Sequence, residues 1–135
     1  MFSFGIGLNV KNSKEAVELY CKAFGLKLGY HVLNEDGSYF HSELMEGDRE
    51  ALAVVEVSDD SPEPIGSPVE LGRIFSSMEE LLSAFNLLKE DGHVRLDICE
   101  LPWSPCAASV TDKFGVNWYL SLPQHRPPDD FKPAN

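Results

Sequence analysis

Basic residues are scarce in this chain. Eleven lysines and arginines stand against 22 acidic residues, for a formal net charge of −11. No cluster of Lys or Arg exists to neutralise phosphates, which excludes a nucleic-acid partner and disfavours anionic membrane surfaces. The acidic surplus reads as a solvated exterior. No apolar run approaches the roughly 20 residues of a membrane span. The opening Met1-Phe2-Ser3-Phe4-Gly5 has neither a positive n-region nor a cleavage pattern, so no signal peptide is expected. Cysteine is sparse too: Cys21, Cys99 and Cys106 are odd in number and lack metal-binding spacing, which suits a reducing cytoplasm. Cys99 and Cys106 can face each other across a hairpin around Pro102–Trp103; they read as small buried hydrophobes, with a redox pair as the alternative. Glycine-rich phosphate loops, nucleophile elbows and Cys-x-x-Cys pairs are all missing.

What remains is an ordinary globular composition, 43% hydrophobic and 24% charged over 135 residues, long enough for a proper core. The clearest local signal is Trp103 to Leu120. Two strand-forming runs, Ala107–Val110 and Val116–Leu120, flank Thr111-Asp112-Lys113-Phe114-Gly115, a hairpin loop in which Gly115 is free to take positive φ.

Upstream, Phe4–Val10 reads as a strand whose glycines at 5 and 7 imply a close neighbour. Asn12 caps a helix, Glu15 reaches back to the cap, and Ala16, Leu19, Tyr20, Ala23 and Phe24 form one apolar stripe ended by Gly25. Strands follow at Leu26–Leu33, Ser38–Met45 and Ala51–Val57, separated by the turns Asn34-Glu35-Asp36-Gly37 and Glu46-Gly47-Asp48. Residues 58–67 are rich in chain breakers and form a linker. The pattern then recurs: strand Val69–Phe75, a capping box at Ser77–Glu80, the stripe Leu81, Ala84, Phe85 and Leu88, a closing Gly92, and strands His93–Leu101, Pro105–Thr111 and Val116–Leu122. Val10 and Phe75, Asn12 and Ser77, Ala16 and Leu81, Tyr20 and Phe85, and Ala23 and Leu88 are each 65 apart, whereas the two closing glycines differ by 67. Such agreement marks a duplication. The expectation is an α+β domain over 1–122, built of two βαβββ modules at 1–57 and 68–122, with a poorly ordered tail over 123–135.

Tandem βαβββ units resemble the vicinal-oxygen-chelate superfamily, which includes glyoxalases, bleomycin-resistance proteins and dioxygenases. Within it the chain looks most like the PhnB-like branch. The residues that carry the likeness are Ala16-Val17-Glu18-Leu19-Tyr20, Phe24-Gly25, Gly37–Leu44 leading to Gly47-Asp48, Trp103, and Val110–Trp118. In that branch a glycine usually follows the tryptophan, where this chain has Ser104-Pro105. The resemblance implies paired modules whose sheets curve into cups, a homodimeric assembly, and a small ligand in the cup. In the metalloenzymes it also implies a divalent ion held by His and Glu from four strands, which acts as a Lewis acid on two neighbouring oxygens. Carried onto this chain, the four ligand positions fall at Gly5, at Glu70, at Tyr119 and at an unfixed position within Leu52–Val55, where every candidate is apolar. Only Glu70 is a plausible ligand, so no metal or other cofactor is expected.

Other chemistry is thin. His41 and Glu43, two apart on a strand, share one face and form either a base with its orienting carboxylate or a wetted or dimer-contact pair. His31 belongs near them if the hairpin register allows. His93 offers only a favourable charge at a helix end. Tyr119 is expected to line the cup beside Trp103 while Trp118 packs under the helices, giving an aromatic wall suited to a flat or apolar ligand. The expected function is metal-free binding of a small organic molecule by a cytoplasmic homodimer, with His41, Glu43, Glu70, Trp103 and Tyr119 as ligand-binding candidates. The alternatives are a metal-dependent lyase, isomerase or dioxygenase using Glu70, His41 and Glu56, and a protein whose dimer surface is its function.

Overall fold

The computed structural model describes residues 4–58, 60 and 66–133. The chain divides into two compact units, 1–65 and 66–135. Most of the expected linker, residues 59 and 61–65, lies outside the described residues.

Unit 1 runs β1 (Gly7–Val10), α1 (Ser13–Phe24), β2 (Lys27–Leu33), β3 (Tyr39–Glu46) and β4 (Arg49–Glu56). Its sheet has the order β1-β4-β3-β2, with β1 parallel to β4 and the other pairs antiparallel. Helix α1 packs on β4, β3 and β2. The core between them holds Leu8, Val10, Ala16, Val17, Tyr20, Ala23, Phe24, Leu44, Leu52 and Val54, all buried. Val17 is buried and Leu19 only half-buried, so the apolar stripe is rotated from the expected one. The first strand is shorter than expected. A Cβ at Gly5 or Gly7 would meet nothing within 4 Å among the described residues, so the expected close neighbour is not found among them.

The start of α1 departs most from expectation. Asn12 sits in the left-handed region, at φ 64, and its side chain caps nothing; its amide instead donates to Glu15 Oε2 at 2.7 Å. The helix end is capped from a distant strand. Glu56, the last residue of β4, accepts from the Asn12 N–H at 2.9 Å, the Ser13 N–H at 2.8 Å and the Ser13 hydroxyl at 2.7 Å. Ser13 Oγ in turn accepts from the Tyr39 N–H at 2.9 Å, so one buried serine ties α1, β3 and β4 together. Gly25 does end the helix as expected, at φ 67 with its N–H on the Cys21 carbonyl.

Unit 2 repeats the plan: β5 (Leu71–Ile74), α2 (Met78–Leu88), β6 (His93–Leu101), β7 (Ser104–Thr111) and β8 (Asn117–Ser121). The sheet order is β5-β8-β7-β6, again with one parallel pair, β5 with β8. The predicted stripe of α2 is fully buried, over β7 and β8. Ser77 accepts from the Glu80 N–H as the capping box requires, but the Glu80 carboxylate is turned to the hydroxyls of Ser76 and Ser77. Gly92 is not the left-handed terminator; Asp91 is, at φ 55. Gly92 is needed for space, because a Cβ there would lie 2.4 Å from the Thr111 carbonyl oxygen. This longer exit explains the two-residue drift between the copies.

The β7–β8 hairpin is organised by one buried carboxylate. Asp112 Oδ1 accepts from the N–H groups of Phe114 and Val116, and Oδ2 accepts from the Trp118 indole N–H at 2.9 Å. Gly115 takes φ 87, as its place in the loop predicts. Residues after 122 do not simply trail away: the His125 N–H donates to the Trp103 carbonyl at 2.7 Å, and the Phe131 ring meets the Trp103 ring edge-on.

Candidate functional site

In each unit the helix covers one face of the sheet and strand alternation assigns the rest to the other face. The pairing registers fix a row across that helix-free face. In unit 1 it reads Gly7, Ala53, Glu43; in unit 2 it reads Gly72, Tyr119, Ser109. The two rows correspond, so the ligand-equivalent position left open within Leu52–Val55 is Ala53.

Unit 2 gathers three of the candidate residues. Trp118 and Leu120 face α2 and are buried, which turns Tyr119 to the helix-free face as expected. Trp103, in the β6–β7 turn, donates its indole N–H to the Tyr119 hydroxyl at 3.0 Å. Glu70 precedes β5 and falls by alternation on the side of Gly72 and Tyr119. Its carboxylate is bound by Arg95 Nη2 at 2.7 Å, and the same nitrogen donates to the Trp118 carbonyl at 3.2 Å. Arg95 therefore reaches from edge strand β6 over β7 and β8. Sequence reading missed this arginine, because it sits at a register shift of β6 that no periodicity reveals.

Unit 1 holds the other pair. His41 Nε2 and Glu43 Oε2 are 2.9 Å apart, half-buried, on the face opposite α1. With the carboxylate as acceptor, Nε2 carries the proton and Nδ1 is left as the base. Their ring neighbour is Tyr30, with centroids 6.1 Å apart, and not His31. His31 pairs with Ser42, on the buried side of β3, holds the Gly29 carbonyl through Nδ1 and meets Tyr39 edge-on. The register shifts in β2 separate it from the pair.

The donor set does not fit a divalent ion. Gly5 and Ala53 have no donor, Glu70 is engaged by Arg95, and the Tyr119 oxygen accepts from Trp103. Glu56, offered as a substitute ligand, spends both oxygens on the end of α1. Among the described residues no group of three or more His, Cys, Asp or Glu is placed to hold a metal ion.

The cysteines are free thiols. Cys99 pairs with Ala107 rather than Cys106. Cys106 is buried, whereas Cys21 and Cys99 are half-buried. Burial, and then the neighbouring Cys99, push the Cys106 thiol above its ordinary 9.0, and burial alone does the same for Cys21. The folded chain thus holds these protons longer than the unfolded chain, so their contribution to stability is whole below pH 9.0 and is lost as the pH rises past it. Denaturation midpoints should fall as the pH rises above 9.0, and less steeply in Cys106→Ala. A cavity of ≈ 560 Å³ lies where Phe131 and Pro128 of the tail approach Leu101, Pro102 and Pro105.

The family model for the Glyoxalase/Bleomycin resistance protein/Dioxygenase superfamily matches residues 5–120. The fold is similar to that of protein PA1353 from Pseudomonas aeruginosa, with a TM-score of 0.76 at 20% identity, covering 91% of this chain and 98% of that one. It is also similar to a PhnB protein from Bacillus cereus, with a TM-score of 0.78 at 19% identity over 90% and 99% of the two chains. The fosfomycin resistance protein FosX from Mesorhizobium loti shares the fold at a TM-score of 0.63 and 8% identity, over 90% and 91%. No curated protein matches the chain. No helix among the described residues is long and apolar enough to cross a membrane.

Proposed function

Because this chain belongs to the Glyoxalase/Bleomycin resistance protein/Dioxygenase superfamily, we propose that it binds a small organic molecule on the helix-free face of its sheets and does so without a metal ion. The observation that carries this reading is the 2.7 Å contact of Glu70 with Arg95. The one carboxylate at a ligand-equivalent position is already neutralised by a guanidinium, which stays charged at every working pH. An incoming ion would have to displace that partner and would find no second ligand at the other three positions. The Trp103–Tyr119 contact supports an aromatic wall for a flat ligand. The assembly in this reading is a cytoplasmic homodimer.

Two measurements test it. Elemental analysis of the purified chain should show far less than one equivalent of Zn, Ni, Mn or Fe. Stoichiometric metal that survives gel filtration would restore the lyase, isomerase or dioxygenase reading. In a small-molecule screen followed by tryptophan emission, hits should quench the parent and lose most of that quench in Trp103→Phe. A screen with no hits would leave the dimer surface as the functional feature.

A further inference from the structure

The segment after β8 closes a cavity against the turn between β6 and β7. Two ties to Trp103 hold it there. The His125 N–H donates to the Trp103 carbonyl at 2.7 Å, and the Phe131 ring stands edge-on to the Trp103 ring with centroids 6.3 Å apart. Between those ties the chain turns at Pro128, whose carbonyl accepts from the Phe131 N–H at 3.0 Å. The space enclosed is ≈ 560 Å³, a size that suits a small organic ligand. Its apolar lining is Leu101, Phe131, Pro102, Pro105 and Pro128. Proline fixes φ, so much of this wall is set before a ligand arrives and little ordering cost remains. None of Gly72, Tyr119 and Ser109 lines the cavity, so it is not part of the row across the helix-free face.

The polar lining is one-sided. Glu100 enters from β6 and Asp130 from the tail, and neither carboxylate has a hydrogen-bonding or ionic partner among the described residues. His125 sets Nδ1 3.3 Å from the Arg126 carbonyl. A carbonyl only accepts, so in the neutral ring that nitrogen carries the proton and Nε2 is a further acceptor. Arg126 and Lys132, the cations of the same segment, do not line the cavity.

We propose that this cavity binds an organic cation, an ammonium group on an apolar body, with Glu100 and Asp130 answering the charge and Phe131 and the prolines receiving the body. Ionised carboxylates accept only, and an ammonium supplies three donors and no acceptor. The Phe131 ring adds its own attraction for a cation. A bare hard cation takes about six to eight oxygen ligands, whereas five of the eight lining residues have apolar side chains. Anions are repelled by both carboxylates and by the formal net charge of −11.

The test uses the full chain and three probes of one shape: 2-naphthylmethylamine, protonated at neutral pH, the alcohol 2-naphthylmethanol, and 2-naphthoate. In isothermal titrations at low salt the amine should bind about tenfold more tightly than the alcohol, since two exposed ion pairs are each worth a few-fold. Naphthoate should bind more weakly than either, and added salt should shrink the amine's margin. Glu100→Gln and Asp130→Asn fall at exposed positions, so the fold should survive them, with circular dichroism as the check. Each should cut the margin to about threefold, and the double variant should abolish it. Glu90→Gln, outside the lining, should leave it intact. Phe131→Ala should weaken amine and alcohol alike by removing their shared apolar contact. Equal binding of amine and alcohol, no binding of the amine, or a preference that survives the double variant overturns the proposal. Hits on the helix-free face are told apart because they keep their affinity in that double variant.

Discussion

Asp112→Ala is expected to cost about 3 kcal/mol of stability and lower the melting temperature by about 10 °C. The Asp112 carboxylate holds two loop N–H groups through one oxygen and the Trp118 indole through the other. The two backbone groups are only partly buried, and water will replace much of what they lose. The indole is different: Trp118 is 3% exposed and packs under α2, where no water reaches it. An unsatisfied buried donor costs about 1–3 kcal/mol, and the loop loses its anchor as well. Asp112→Asn keeps one acceptor oxygen but turns an NH₂ toward one of the donors, so its cost should fall between those of the parent and the alanine variant. Urea unfolding followed by circular dichroism measures both. An alanine variant within 0.5 kcal/mol of the parent would show that this carboxylate is not what holds the hairpin. Because β8 carries Tyr119, loosening this loop should also weaken the ligand binding proposed for that face.

The second large effect is expected at Glu56→Ala, at about 2–3 kcal/mol. Ordinary helix caps are worth about 1 kcal/mol. Glu56 does more, since its charge sits at the positive end of α1 and accepts three hydrogen bonds, two of them from the fully buried Ser13. Glu56→Gln keeps the acceptor and loses the charge, so a loss of about 1 kcal/mol is expected. Amide hydrogen exchange adds a local readout: protection at the first turn of α1 and at Tyr39 should drop together in Glu56→Ala, because Ser13 bridges the two. Loss at α1 with Tyr39 unchanged would mean that the serine does not depend on its glutamate.

Much of the architecture was legible in the chain itself. The 65-residue spacing of stripes and caps predicted two βαβββ units, and both sheets have the same strand order with one parallel pair. Alternation along Asn117–Ser121 correctly sent Trp118 inward and Tyr119 to the other face. Local pattern erred where the partner was distant. Asn12 looked like a cap because its own sequence neighbours fit one, yet the carboxylate that serves lies 44 residues away. Gly92 looked like a terminator because it follows a helix, whereas the approach of the Thr111 carbonyl is what excludes a side chain there.

The candidate site divides in the same way. Residue identity alone determined that Gly5 can donate nothing and that Tyr119 offers a phenol and not a carboxylate, because those are properties of side chains wherever they stand. Only tertiary structure decided that Ala53 is the remaining position, that His31 is parted from His41, and that Arg95 reaches Glu70. Each of these depends on strand register and on bulges in edge strands, where a shift of one residue exchanges the two faces of a sheet. Register is a relation between segments far apart in the chain, and no single segment contains it.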